Sequence, residues 1–342
     1  MREIKSNKKN IFTKLFIKIS RFLGFEIIDQ SNFTAPVSSK GLNETLSIAG
    51  KRSITLPLGE IKITRKIKYF DVILRTCMTV NMLTQSKKRV FEKDKEEYTK
   101  RTLVSIIKSI KHAKINFKET KFKIYVIDHN SNKDQIKIIN DILKNSGIEF
   151  EIKKLDFEKF SKEIKKINEE NKEVTSNQKS NMSNIHQSIL LSKEKCQDLT
   201  YFVEDDYLHH LDTISEILFT YEKISSIINN ELVICPTDYP YLYMEPENTN
   251  LIIGEKRHWR KIDQTLCSFV MSKKIIEKYY DDLISMCKYE HYPFEKPLHK
   301  IYNKELCISP IPSLSVHFTN INSIYGLSPN VNWKKLWEEN ES

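Results

Sequence analysis

Glu204, Asp205 and Asp206 end the run Thr200-Tyr201-Phe202-Val203-Glu204-Asp205-Asp206-Tyr207, in which four residues of strong strand preference lead straight into three carboxylates. Carboxylates a few ångströms apart repel, and taking them out of water costs several kcal/mol unless a cation or hydrogen-bond donors compensate. A hard divalent ion with oxygen ligands is one answer, and Mg²⁺ commonly arrives already carrying a substrate phosphate. A solvated acidic turn after a core strand is the other. The rest of the chain has to choose between them.

Two earlier strands also end in polar residues. Tyr69 to Leu74 is mostly apolar and stops at Arg75-Thr76; Phe122 to Ile127 stops at Asp128-His129-Asn130-Ser131-Asn132. Between them, 95–113 reads as a helix with Tyr98, Leu103, Ile106, Ile107 and Ile110 on one side, and 133–145 as the next helix. Ile148 to Ile152 is a third strand. Strands alternating with helices imply parallel strands joined by crossovers, and such sheets bind ligands at the carboxyl ends of the strands. Arg75, Asp128 and the acids at 204–206 all sit at such ends. Farther on, 153–180 reads as a charged helix fading into a mobile segment, 180–192 as a helix, 211–228 as another, and 232–235 as a strand. Residues 236–262 read as irregular, 266–271 as a strand, 273–286 as a helix, and 306–317 as extended.

The 342 residues are 39% hydrophobic and include only 7 glycines, which suits a globular chain and excludes a fibrous or disordered one. The net charge of +10 favours anionic partners without naming one. None of the 6 cysteines lies in a C-x-x-C pair, so they read as reduced, buried thiols of a cytosolic protein. No apolar run is long enough to span a bilayer, and the N-terminus has no signal-peptide cleavage site. Ile11, Phe12, Leu15, Phe16, Ile19, Phe22 and Leu23 mark one face of a helix, with Arg2, Lys5, Lys8, Lys9, Lys14, Lys18 and Arg21 around it. That face either docks on the protein's own core or lies in an anionic membrane interface. Residues 1–66 are thus expected to be a basic amphipathic helix and linker, with an edge strand at Ile61 to Ile67. The main domain spans 67–318, and 319–342 is a loop and short helix that could fold over a ligand as a lid.

The order of these elements resembles the nucleotide-sugar-dependent glycosyltransferases of the GT-A fold, in particular the family 2-like bacterial enzymes. Asp128 to Asn132 is similar to that family's D-D-G-S-T-D stretch, Tyr201 to Asp206 to its strand plus D-x-D signature, and Pro312-Ser313-Leu314-Ser315-Val316-His317 to a P-S-L-x-x-H ending. The resemblance implies an α/β, Rossmann-like fold with a mixed, mainly parallel sheet flanked by helices. It implies a nucleotide-sugar donor, a glycan or glycolipid acceptor, Mn²⁺ or Mg²⁺ as cofactor, and cell-surface polysaccharide synthesis at the cytoplasmic face of the membrane. Asp206 would then bind the metal directly, with Glu204 through water or on the ribose, and His317 completing the site. Arg75, Thr76, Asp128, Asn130, Glu204 and Asp205 would face the nucleotide. Glu295, in His291-Tyr292-Pro293-Phe294-Glu295, would be the base that deprotonates the acceptor, with Asp263 the competing choice. Trp259 could stack on a sugar, and Arg260 could contact an acceptor acid.

Two departures stand out. His129-Asn130 replaces Asp-Gly, removing the tight glycine turn, and Glu204 replaces Asp. Each residue also has a plainer use: Asp128 as a helix cap, Glu295 as a helix-dipole acid, Trp259 as core, His317 as a hydrogen-bonded strand end. A nucleotidyltransferase would favour a glycine-rich phosphate loop, and 75–92 contains no glycine. A nucleic-acid binder would interleave aromatics with a basic groove, whereas Tyr239, Tyr241 and Tyr243 neighbour acids. A non-catalytic sugar-binding module is the remaining alternative.

Overall fold

The computed structural model describes residues 11–25, 61–79, 89–246 and 248–341; the expected linker over 29–60 lies outside the described residues, as do Arg2, Lys5, Lys8 and Lys9. The chain forms two compact units, Met1–Lys62 and Ile63–Ser342. The first contains helix α1 (Ile11–Phe22), whose Ile11, Phe12, Leu15, Phe16, Ile19 and Phe22 are all exposed. Among the described residues no helix is long and apolar enough to cross a membrane.

The second unit is built on a nine-stranded sheet in the order β3-β2-β1-β4-β9-β6-β10-β8-β7. Its strands are β1 (Tyr69–Thr76), β2 (Lys121–Asp128), β3 (Glu149–Lys154), β4 (Leu199–Glu204), β6 (Val233–Ile234), β7 (Leu251–Ile253), β8 (His258–Lys261), β9 (Phe269–Ser272) and β10 (Cys307–Ile311). β9 is antiparallel to β4 and β6, and β8 is antiparallel to β10 and β7, so every other strand runs one way. A separate two-stranded ladder joins β5 (Tyr207–His209) to β11 (Ser315–His317). The expected α/β class, with a mainly parallel sheet flanked by helices, is the one observed.

β1 sits between β2 and β4, covered on both faces, so its side chains from Phe70 to Thr76 are buried without alternation. Helix α2 (Lys95–Ala113) crosses from β1 to β2 and buries the predicted Leu103, Ile106, Ile107 and Ile110. Helix α3 (Lys133–Ser146) opens on a reciprocal cap between Asn132 and Gln135 and stops at Gly147, whose φ of 70° is the left-handed turn that glycine favours. After the short α4 (Phe157–Ser161), helix α5 (Ser176–Lys195) starts earlier than 180 because Thr175 and Gln178 cap each other reciprocally, a T-x-x-Q signal present in the sequence. Helices α6 (Thr213–Ile228), α7 (Lys273–Lys278), α8 (Tyr280–Lys288), α9 (Lys296–Tyr302) and α10 (Trp333–Glu339) complete the unit. All six cysteines are free thiols.

Four expectations need correction. The stretch 236–262 is not wholly irregular, since β7 and β8 form a hairpin in it. Trp259 on β8 is fully buried and offers no stacking face: its Nε1–H donates to Glu216 Oε1 at 3.2 Å. Buried Glu216 also accepts backbone N–H groups from Glu255 (3.0 Å), Lys256 (2.9 Å) and Arg257 (3.3 Å). Gly254 is required beside them, because a Cβ there would lie 2.3 Å from Trp259 Nε1. Arg260 pairs with buried Asp238 instead of reaching an acceptor. Finally, 61–67 is not a strand. Thr64 and Arg65 donate their N–H groups to Ser226 Oγ (3.0 and 3.1 Å) and Ile67 to Glu222 Oε1 (2.7 Å), so side chains of α6 take the place of a ladder.

Glu216→Ala would orphan the indole and three backbone donors at once. A loss of roughly 3 kcal/mol or more is expected, measured as a lower urea midpoint at unchanged slope.

Candidate active site

Register brings the strand ends together. Arg75 stands opposite Glu204 across β1 and β4, and Thr76 opposite Asp128 across β1 and β2. The β5–β11 ladder sets His317 opposite Tyr207, with the two rings stacked at 4.5 Å, and Phe318 N–H bonds Asp206 O at 2.8 Å. The far end of the chain is thereby placed beside the acidic strand end. A cleft of about 330 Å³ opens there. Its lining includes Arg75, Thr76, Arg89, Lys95, the three acids 204–206, Glu295 and His317, with Asn177, Ser180, Asn181 and Asn184 along one face of α5.

The acids are not bare. Lys95, in the first turn of α2, places its Nζ 2.7 Å from Asp205 Oδ1 and 2.8 Å from Asp206 Oδ2. Asp205 also accepts from Thr99 Oγ1, one helical turn after Lys95, at 3.0 Å, and from the Cys77 N–H at 3.1 Å. Asp206 has Arg89 Nη1 at 3.4 Å and His317 Nε2 at 3.5 Å. Glu204 faces Arg75 Nη2 at 2.8 Å, and Arg75 Nη1 donates to Asn181 Oδ1 at 2.8 Å. Burial pushes the Asp206 carboxyl up, but the charges of Lys95, His317 and Arg89 outweigh it and hold the group well below its ordinary value. Burial likewise opposes the charge on His317, and Asp206 overcomes it, so the imidazole is raised. Its Nδ1 lies 2.7 Å from Tyr325 O, which can only accept, so that nitrogen carries a proton.

Glu295 stands at the head of α9, with its carboxyl raised to about 7 by burial and by the neighbouring charge of Glu204. That is the value suited to a base working near neutrality. Asp263 is exposed, outside the cleft lining, in the turn after β8. Asp128 is buried and accepts from Thr76 Oγ1 (2.7 Å), Ser131 Oγ (2.6 Å) and Ser131 N–H (3.1 Å), so it shapes the turn instead of lining the cleft. Asn130 supplies the missing glycine's geometry with a φ of 62°, a left-handed conformation that asparagine tolerates, and it too lies outside the lining.

The expected metal ligands Asp206, Glu204 and His317 do not fit a divalent ion as they stand. Asp206 and Glu204 are each paired to a basic side chain, and His317 Nε2 already faces Asp206 Oδ1 at 3.5 Å. Among the described residues no three His, Cys, Asp or Glu side chains are grouped to hold a metal. Lys95 and Arg89 were not foreseen, because a lysine within Lys93-Asp94-Lys95-Glu96-Glu97 looks like ordinary solvated charge. The α5 face was missed as well, although Asn177, Ser180, Asn181 and Asn184 recur at helical spacing and could have revealed it.

No protein-family model and no curated protein matches the sequence. Solved structures to which the chain is similar include UDP-glucose pyrophosphorylase in complex with UDP-glucose, at 8% identity, covering 80% of this chain and 97% of that one, with a TM-score of 0.38. The inositol-1-phosphate CTP transferase from T. maritima is similar at 12% identity, 81% and 98% coverage and a TM-score of 0.40. The galactosyltransferase LgtC in complex with donor and acceptor sugar analogs is similar at 9% identity, 70% and 86% coverage and a TM-score of 0.31. With TM-scores this low, the reading of the site rests on its own residues.

Lys95→Met would leave Asp205 and Asp206 without their shared ammonium and cost about 3–5 kcal/mol at neutral pH. Because the native Asp206 value is depressed, that stability is present above the ordinary 3.8 and is lost as pH falls through the lowered native value. Thermal melts of both proteins from pH 3 to pH 8 would show the gap narrowing at the acid end.

Proposed function

We propose that the chain is a glycosyltransferase that moves a sugar from a nucleotide-sugar donor to a hydroxyl of a glycan or glycolipid in cell-surface polysaccharide synthesis. The observation that carries this reading is the placing of Glu295, a carboxyl raised to about 7, in the same cleft as the basic side chains gathered on the acidic strand end. In a direct displacement the acceptor oxygen forms its bond to the anomeric carbon while the carbon–oxygen bond to the diphosphate breaks. Glu295 takes the hydroxyl proton, and the diphosphate leaves with the electron pair. The growing negative charge is met by Arg75, Arg89 and Lys95, whose side chains are already fixed by ion pairs and need little reorganisation. The asparagines of α5 offer donors and acceptors to sugar hydroxyls. A nucleotidyltransferase would use a sugar phosphate that is already anionic near neutrality and needs no base, so Glu295 favours glycosyl transfer. The exposed apolar stripe of α1, with Lys14 and Lys18, suits peripheral attachment to an anionic membrane face, where a glycolipid acceptor would be met.

Glu295→Gln should lower kcat by at least about 100-fold while nucleotide affinity stays the same. Wild-type kcat/KM should rise with pH and level off above about 7. The raised carboxyl also destabilises the fold once ionised, so Glu295→Gln should melt higher than wild type above pH 7 and equally below 4.5. Equal activity of wild type and variant would remove Glu295 from the mechanism. For α1, the full chain should float with anionic vesicles and not with neutral ones, and Phe16→Asp should abolish flotation.

A further inference from the structure

We infer that this site binds its pyrophosphate-bearing ligand without a divalent metal: Lys95 and Arg89, seated on Asp205 and Asp206, together with Arg75 on Glu204, supply the positive charge that a metal would bring. The nucleotide part of this inference rests on the glycosyltransferase reading; the anion site does not.

The three acids are matched by three bases at ion-pair distance: Lys95 on Asp205 and Asp206 at 2.7 and 2.8 Å, Arg89 on Asp206 at 3.4 Å, and Arg75 on Glu204 at 2.8 Å. The repulsion that makes a carboxylate cluster demand a metal is thereby already relieved. A divalent ion approaching Asp206 would have to displace the Lys95 ammonium, which is only 8% exposed, and then sit beside it as a like charge. The same three cations border the cleft. An ammonium has three N–H donors, of which Asp205 and Asp206 take two, so one remains for a ligand oxygen. Arg75 is 6% exposed, and its Nη2, although close to Glu204, makes no hydrogen bond of acceptable geometry. A buried guanidinium nitrogen left in that state at a cleft wall is poised for an acceptor that arrives with the ligand. The carboxylates act here as anchors: they hold three basic side chains out of water and pointed at one space.

The test is isothermal titration calorimetry of the full chain with inorganic pyrophosphate and with UDP, GDP, CDP and dTDP, in EDTA and again in Mn²⁺. At least one of these ligands should bind in EDTA with an affinity within about threefold of that in Mn²⁺. Arg89→Gln, assayed well below its own melting temperature, should weaken the metal-free binding at least about tenfold. Binding that appears only with Mn²⁺ overturns the inference and leaves the glycosyltransferase reading standing. Metal-free binding of pyrophosphate with no nucleotide binding supports the anion site and removes the nucleotide-sugar donor. Silence from every ligand in both buffers overturns both.

Discussion

The contact on which the rest depends is the Lys95 ammonium lodged between Asp205 and Asp206. Three consecutive acids at the end of a buried strand are unfavourable by themselves. With the ammonium in place, the same acids become a scaffold that orients cations toward the cleft. The protein's own lysine thus answers the electrostatic problem for which a divalent ion was the sequence-level expectation. It comes from the helix that packs beside the strand.

Holding that lysine and its neighbour Arg89 in place takes elements from both ends of the main unit. Tyr98, one turn beyond Lys95, exchanges hydrogen bonds with the backbone of Phe91 at 2.9 and 2.8 Å, and Arg89 lies over the Tyr98 ring at 4.9 Å. Val90 N–H reaches Thr319 O at 3.0 Å, tying this segment to the residues just after β11. Trp337 of α10 stacks on Phe91 at 4.3 Å and packs on Tyr98 at 4.7 Å, while Arg101 of α2 donates to Trp337 O at 2.5 Å. The C-terminal helix is therefore an aromatic wedge that fixes the start of α2.

Much of the frame was legible. The alternation of strand and helix from Tyr69 to Ile152 appears as read, because β1 and β2 are covered on both faces and show continuous apolar runs. Arg75, Thr76, Glu204, Asp206, Glu295 and His317 meet in one cleft, as ligand binding at strand ends requires. Asp128 and Asn130 stand at the expected turn but outside the cleft lining, where Asp128 accepts three local hydrogen bonds that shape its own loop. Trp259 misled because an indole on a short strand looks the same in sequence whether it faces a cleft or a buried carboxylate.

Composition and pattern by themselves determined the class of fold, the order of its strands along the chain and the clustering of carboxylates at a strand end. These follow from local rules: strand preference, helical periodicity and the burial of apolar runs. Only the tertiary structure decided what those carboxylates touch. Lys95 stands 110 positions before Asp205, and His317 stands 111 after Asp206. Electrostatic pairing acts through space over a few ångströms, and sequence separation carries no record of it.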